Sequence, residues 1–329
     1  MTDTFDVATH LRPIWLEGTP QEELFPAYTP LVAHYCSIST LESIVKNNEF
    51  WFSNPLYAND YEELSFGMFH SRKIIKESTS IRNAFQDENK YTAFIGIIDT
   101  IFQHFEQGTA MDLYIACFSI HNPSDNDGLL SMWRGYGANG TGAAIVFNTA
   151  AIREKPDSPL VISKVQYGTT DQRISWIINI IDRFAELIAT APIHSSDPNV
   201  ALWAYQCATQ LFERLLTLSI FTKHIGFQEE RELRVVYFRH RDVKNLLSSM
   251  ASYAVIDGTV HPKFKFKIAP LEGFGDDQVT LDTMVVKIIL GPSGVSSRSV
   301  WAVKRMLATL GHPRLAELVV ASSTPYRSK

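Results

Sequence analysis

The sequence is poor in cysteine and has no long apolar run, and each shortage excludes a class of protein. Only three cysteines occur in 329 residues, and no two of them form a Cys-x-x-Cys pair. This excludes a disulfide-stapled fold and a cysteine-rich zinc fold, and it favours a reducing cytoplasm. Asp182 and Lys287 interrupt the most apolar stretches, so none reaches the roughly 20 apolar residues of a membrane span. The N-terminus lacks the pattern of a signal peptide, and we expect no membrane partner.

The charge balance excludes a strongly basic protein. Thirty Lys and Arg residues against thirty-five Asp and Glu residues give a net charge of −5. This argues against a globally basic nucleic-acid binder, although it leaves room for a local basic groove. Hydrophobic residues make up 45% and charged residues 20% of the chain, which excludes disorder and predicts a packed core.

The residue patterns predict a mixed α+β fold with mainly antiparallel, short-stranded sheets. Apolar and β-branched runs predict strands that include 31–36, 49–53, 112–119, 143–147, 230–238 and 285–290. Spacings of three and four predict helices over 60–107, broken once at Thr79-Ser80, and over 170–190 and 200–223. No regular βαβ alternation and no G-x-G-x-x-G occurs, which disfavours a doubly wound dinucleotide fold.

The same patterns predict the boundaries of the chain's parts. Four prolines in residues 1–30 predict an extended lead-in, and residues 31–329 are predicted to form one α+β domain with a helical insertion at about 168–222. Ser39, with Glu42 three residues later, predicts a capping box for a helix over 40–47.

The strand candidate around position 232 carries an unusual row of charges. Side chains alternate along a strand, so Glu230, Glu232 and Arg234 are predicted to share one face. Unpaired charges are costly to bury, so this face either meets water or lines a polar cleft. Spacing alone favours a solvated edge strand with cross-strand ion pairs.

Two further segments contain polar and aromatic residues at strand ends. His34 lies in the 31–36 strand, where a lone histidine is more often a satisfied core residue than a catalytic one. Phe118-Ser119 ends another strand and precedes Trp133 and Tyr136. Aromatic residues at such spacing are usually core, and they are also able to form one wall of a pocket for a planar ring.

Taken in order, these segments resemble the bacterial family known as domain of unknown function 2971. The segments that carry the resemblance are His34-Tyr35-Cys36-Ser37, Trp51-Phe52-Ser53, Asn59-Asp60-x-Glu62, Cys117-Phe118-Ser119, Met132-Trp133-x-x-Tyr136, Gly142–Phe147, Lys223 with Phe227-x-x-Glu230-x-Glu232-x-Arg234, and Ile288–Pro292. The resemblance extends from about residue 31 to residue 326 and leaves the stretch 168–222 without a family motif. Phe227 stands where the family commonly has tryptophan, and Cys36 where it commonly has threonine.

That family is similar to a distant branch of the ADP-ribosyltransferase-like fold, and this similarity implies a site for NAD with no metal. His34 with Tyr35 is then expected to hold a ribose, and Phe118-Ser119 to shape the nicotinamide pocket. Glu230-x-Glu232 is expected to supply catalysis, with Glu232 favoured as the catalytic residue. The expected cofactor-binding set is His34, Tyr35, Ser37, Ser53, Phe118, Ser119, Trp133, Tyr136 and Arg234.

The resemblance implies mono-ADP-ribosyl transfer from NAD, or NAD hydrolysis on the same scaffold. Breaking the nicotinamide–ribose bond develops positive charge on the ribose ring, which a fixed carboxylate such as Glu232 stabilises. Glu230 would orient or deprotonate the acceptor, a protein or a nucleic acid. A role as a toxin or phage-defence effector, with a neutralising partner protein, follows from the resemblance alone.

This chemistry requires the Glu230–Glu232 segment to face His34 across a hollow wide enough for a dinucleotide. It also predicts that Glu232→Gln abolishes NAD turnover and leaves the melting temperature nearly unchanged.

Two other functions are compatible with the residues. The first is a non-catalytic nucleotide-binding or sensing module on the same fold, which retention of both glutamates disfavours. The second is a metal-dependent nuclease with Glu230, Glu232 and Asp60 as Mg²⁺ ligands. We rank the nuclease last because no D…E-x-K pattern is present and Arg234 competes with a cation for the carboxylates.

Overall fold

The structure is a computed structural model that describes residues 6–16, 30–57, 61–152, 158–192, 199–270, 279–293 and 296–326. The chain divides into two compact units. One, here called the helical unit, comprises Met1–Gln21, Ala58–Asp112 and Gln166–Gly226. The other, here called the sheet unit, comprises Glu22–Tyr57, Leu113–Val165 and Phe227–Lys329. The predicted division into residues 1–30 and 31–329 stays a prediction.

The described α-helices are numbered in chain order. They are α1 (Val7–Leu11), α2 (Pro13–Leu16), α3 (Ile38–Asn47), α4 (Tyr61–Glu77), α5 (Thr79–Phe85), α6 (Glu88–Gln107), α7 (Leu130–Gly135), α8 (Thr170–Ala189), α9 (Val200–Ile220), α10 (Leu281–Met284), α11 (Ser297–Thr309) and α12 (Pro313–Glu317). Among the described residues, no helix combines the length and apolarity needed to cross a membrane.

The described strands are numbered in the same way. They are β1 (Leu31–Cys36), β2 (Glu49–Ser53), β3 (Leu113–His121), β4 (Ala143–Asn148), β5 (Leu160–Lys164), β6 (Gln166–Gly168), β7 (Thr222–His224), β8 (Glu232–Phe238), β9 (Ala251–Ile256), β10 (Thr259–Lys267), β11 (Val285–Leu290) and β12 (Val319–Ala321). The predicted mixed fold with a mainly antiparallel sheet is confirmed.

Three local predictions are wrong, each because another residue caps a helix. The start of the chain is not extended where it is described, since Asp6 caps α1 and α2 follows directly. Ser37, not Ser39, caps α3, and its hydroxyl accepts a hydrogen bond from the amide of Thr40 at 3.1 Å. The stretch 60–107 holds three helices rather than two, because Asp87 begins a separate helix after α5.

The helical unit packs long helices against one another. Gly67 on α4 lies so close to Ser219 on α9 that an added Cβ would sit 2.2 Å from the serine Oγ. The rings of Phe94 and Phe184 stack at 5.6 Å and join α6 to α8. The helices predicted within 168–222 are α8 and α9, and they belong to this unit.

The sheet unit is built on a sheet that contains ten of the described strands. Its main path runs β12-β11-β4-β1-β3-β2-β10-β9, and β8 pairs with both β3 and β5. Every neighbouring pair is antiparallel except β11 and β12. Because β8 lies between two strands, the predicted solvated edge strand is wrong.

The strand register assigns each side chain to one of two faces. Ser119 of β3 pairs with Ala33 of β1 on one side and with Glu232 of β8 on the other. Residues directly opposite each other in an antiparallel pair point to the same face. We call the face of Ser119, Glu232 and Arg234 the polar face. His34 and Phe118 are each one residue away from this row, so they point to the opposite face.

That opposite face is here called the aromatic face. The His34 ring lies 4.6 Å from the ring of Phe50 and 6.0 Å from that of Phe118. Phe118 also meets Phe147 of β4 edge-on at 5.9 Å. Phe50 and Phe147 belong to the main core of the sheet unit, and Phe118 packs against it.

Candidate functional site

Glu232 and Arg234 form a buried ion pair on the polar face of β8. A guanidinium nitrogen of Arg234 donates to Glu232 Oε2 at 2.8 Å, and the side chains are 4% and 5% exposed, respectively. The contact joins two residues that alternation along the strand places on one face, as predicted. Burying two charges is costly unless they compensate each other, so each side chain depends on the other.

Glu230 does not lie on β8, contrary to the prediction that it shares a strand face with Glu232. It ends a 3-10 turn at Ile225–Glu230, and the positive φ of Arg231 (48°) interrupts the alternation before the strand begins. Ser119 Oγ donates to the carbonyl of Glu230 at 2.7 Å and anchors this turn. The Glu230 side chain is partly exposed, and Tyr136 donates its hydroxyl to Glu230 Oε1 at 3.1 Å.

Tyr35 lies on the same side of the sheet as the polar face, and it packs against Trp133. Burial raises the pKa of the Tyr35 phenol to about 12, and its oxygen accepts a hydrogen bond from the amide of Leu129 at 2.8 Å. The rings of Tyr35 and Trp133 meet edge-on at 4.8 Å. Trp133 is completely buried and donates to the carbonyl of Asp127 at 2.8 Å. The indole therefore supports Tyr35 and does not line an open pocket.

His34 does not face the glutamates, so the central geometric expectation is wrong. The imidazole points to the aromatic face, whereas Glu232 points to the polar face. Burial lowers the pKa of His34 to about 4, so the ring is neutral at pH 7. Phe118 also lies on the aromatic face, where it stacks on Phe50 at 5.0 Å. The physical reason is strand alternation, which separates His34 from Tyr35 and Phe118 from Ser119.

Ser37 and Ser53 have local structural contacts. Ser37 is the cap of α3. Ser53 Oγ accepts a hydrogen bond from Lys263 Nζ at 2.8 Å. Asp60, the third oxygen ligand in the nuclease alternative, lies outside the described residues. Within the described part of the chain, no group of His, Cys, Asp and Glu side chains is arranged to hold a metal ion.

Two residues that sequence reasoning did not place in the site share the polar face with Arg234. Cys117 of β3 and Ser163 of β5 are its direct partners on either side. The Cys117 thiol is exposed, whereas Arg234 is buried. Alternation along β3 predicts that Cys117 and Ser119 share a face. That Arg234 lies between Cys117 and Ser163 follows only from the pairing of β8 with β3 and β5, which the structure shows.

Comparison with known proteins supports part of the resemblance. Residues 132–235 match the model of a family described as "Protein of unknown function (DUF2971)". The matched range is roughly a third of the chain and contains Trp133, Tyr136, Glu230, Glu232 and Arg234. It also contains the stretch 168–222, in which we recognise no family motif. No curated protein and no solved structure matches the chain.

Proposed function

We propose that the region of the sheet unit around Glu230 binds NAD and that the protein breaks the nicotinamide–ribose bond. ADP-ribose is then transferred to an acceptor or to water, as in the ADP-ribosyltransferase-like proteins that the sequence resembles. The observation that supports this is a partly exposed carboxylate, Glu230, which Tyr136 orients next to the buried Glu232–Arg234 pair.

The geometry favours Glu230 as the catalytic carboxylate, whereas the resemblance favours Glu232. Glu232 is buried against Arg234, and we therefore assign it a positioning role. Glu230 presents its carboxylate closer to solvent, where a substrate has access. A fixed carboxylate stabilises the oxocarbenium-like ribose, and because nicotinamide departs neutral, no strong acid is required.

The nicotinamide ring needs an aromatic partner other than the buried ones. Tyr136 is 41% exposed and carries the hydroxyl that contacts Glu230. A pyridinium ring stacked on this tyrosine would gain a cation–π contribution that neutral nicotinamide lacks. This arrangement replaces the hollow shared with His34 that the sequence led us to expect. His34 takes no part in NAD binding here, and the aromatic face only supports the sheet.

A non-catalytic nucleotide-binding module is the second candidate. It is favoured because two groups to which the resemblance assigns a role, Trp133 and Glu232, are buried. Such a module would bind NAD or another nucleotide without turnover. The cytoplasmic location, the toxin or defence role and the neutralising partner remain predictions from the resemblance.

The test is to incubate the full chain with NAD and to measure free nicotinamide, with and without RNA, DNA or lysate protein. We expect release by the unmodified protein and a loss of about 100-fold or more in Glu230→Gln. Glu229→Gln, in the same exposed turn, is the matched control and should retain activity.

Two results would reject the enzymatic proposal. One is equal activity of Glu230→Gln and Glu229→Gln. The other is calorimetric binding of NAD with no nicotinamide release under any condition, which would establish the binding module instead.

A further inference from the structure

Three lysines form a row on one face of β10. Lys263, Lys265 and Lys267 alternate along the strand, so their side chains point to the same side about 6.6 Å apart. The intervening Phe264 and Phe266 point to the core on the other side. Opposite the lysines on β2 lie Ser53, Trp51 and Glu49. We call these six residues the lysine face.

The lysine face lies on the same side of the sheet as the polar face. Ser53 pairs with Ile115 of β3, and Ile115 has the same strand parity as Ser119. Ile115 and Ser119 are four residues apart, which corresponds to about 13 Å along the strand. One short segment of a bound polymer is therefore long enough to extend from the start of the lysine row to the strand position of Ser119.

An exposed indole lies within this row of charges. Trp51 is 43% exposed, and the Lys265 ammonium lies 4.6 Å from its ring centroid. An aromatic pair stands beside the row, where the ring centroid of the exposed Tyr57 lies 5.2 Å from that of His261 on β10.

The lysine face is positively charged even after its internal ion pair is counted. Glu49 is its one acid, and it accepts hydrogen bonds from Lys267 Nζ and from Trp51 Nε1. Three lysines and one glutamate leave a positive surface on a chain whose net charge is −5. This local excess differs from the overall balance and indicates an anionic partner.

We propose that the lysine face binds single-stranded nucleic acid. Lysines in register along a strand neutralise successive phosphates, and an exposed ring next to them stacks on a base. An unpaired strand fits better than a duplex because only its bases are open to Trp51. The nucleic acid would also be the acceptor of ADP-ribose, and that last step alone rests on the proposed function.

The experiment measures binding of labelled oligo-U and oligo-dT to the full chain without NAD, over a series of salt concentrations. Trp51→Ala should weaken binding at least about fivefold, which is the lower end of the contribution of one stacked base. Trp51→Tyr should restore most of it. In the double variant Lys265→Ala/Lys267→Ala, the slope of log K against log salt should fall by about 1.4.

Matched controls remove the same groups elsewhere in the sheet unit. Trp301→Ala deletes an indole that is 72% exposed on α11, and Lys46→Ala/Lys244→Ala removes two exposed lysines. Both controls should bind as the unmodified chain does. Melting curves of all variants identify any that fail to fold, and the double variant Lys265→Ala/Lys267→Ala provides the test if Trp51→Ala does not fold.

Several results would overturn the proposal. These are no binding of either oligonucleotide, equal losses in variants and controls, equal affinity for a duplex of the same length, or equal competition by polyglutamate. Binding only to vesicles that contain anionic lipid would assign the face to a membrane. Because NAD is absent, failure here is distinct from failure of nicotinamide release.

Discussion

The two faces of the central sheet differ sharply although they are built from the same strands. On the aromatic face, neutral rings surround His34 and lower the pKa of its imidazole to about 4. On the polar face, one residue away along each strand, Glu232 and Arg234 remain as a buried ion pair. Neighbouring residues of one strand therefore have different environments, because side chains alternate between the aromatic face and the polar face.

The largest expected effect is on the polar face. Glu232→Gln removes the carboxylate from the buried ion pair with Arg234, so we expect a loss of about 3–5 kcal/mol in the free energy of unfolding. Urea denaturation measures this loss. The double variant Glu232→Met/Arg234→Met should recover most of the stability, because it removes both charges.

This expectation reverses the one drawn from the sequence, which had the melting temperature nearly unchanged. If Glu232→Gln unfolds at the same urea concentration as the unmodified chain, the ion pair contributes little to stability. Glu232 would then again be a candidate for the catalytic role that the resemblance implies.

The next effect is on the aromatic face and depends on pH. The pKa of His34 falls from 6.5 to about 4 on folding, so the unfolded chain takes up the proton first as the pH falls. His34 should therefore leave stability unaffected above pH 6.5 and reduce it progressively between pH 6.5 and 4. The total loss is about 3 kcal/mol. Urea midpoints measured over this range test the prediction.

His34→Leu should remove this part of the pH dependence and retain NAD turnover. His240→Leu, which changes an exposed histidine, is the control and should keep the full dependence. Loss of turnover in folded His34→Leu would place His34 in the site and contradict the assignment of the two faces.

A smaller effect on stability is expected at Ser119, the residue of the polar face that contacts the turn of Glu230. Ser119→Ala removes the part-buried hydrogen bond to the Glu230 carbonyl and should cost about 1 kcal/mol in stability. Turnover should fall because the Glu230 carboxylate is less well positioned. Ser163→Ala on β5 is the control, and equal effects of the two variants would show that the turn does not depend on Ser119.

The smallest expected effect is on the exposed rim of the polar face. Tyr136→Phe removes the hydroxyl that contacts Glu230, and at this exposure the loss in stability should be about 0.5 kcal/mol or less. Nicotinamide release should still fall about tenfold, since the carboxylate loses its orienting donor. Tyr205→Phe, an exposed tyrosine of α9, should change neither quantity. Full activity of Tyr136→Phe would exclude this contact from the mechanism.

Much of the fold could be predicted because its elements are encoded locally. The predicted strands 31–36, 49–53 and 285–290 coincide with β1, β2 and β11. The predicted start of α3 was wrong because Ser37, not Ser39, is its cap. The predicted start of β8 was wrong because the turn that includes Arg231 extends into the predicted strand.

The candidate site was predictable only in part. The contact between Glu232 and Arg234 follows from their spacing of two on one strand, and it is present. The contact of Tyr136 with Glu230 joins residues that are distant in the sequence, and no local pattern indicates it. The expected meeting of His34 and Glu232 failed because it depended on how β1, β3 and β8 pair.

By itself, the sequence determined where most strands and helices lie and which side chains alternate along each strand, because these follow from short-range sterics and periodicity. The pairing of β8 between β3 and β5, and with it the face to which His34 and Glu232 are each assigned, was decided only by the tertiary structure. The physical reason is that a strand's two faces are equivalent until its partners are chosen. Those partners come from distant segments, whose joint burial of apolar surface sets the register.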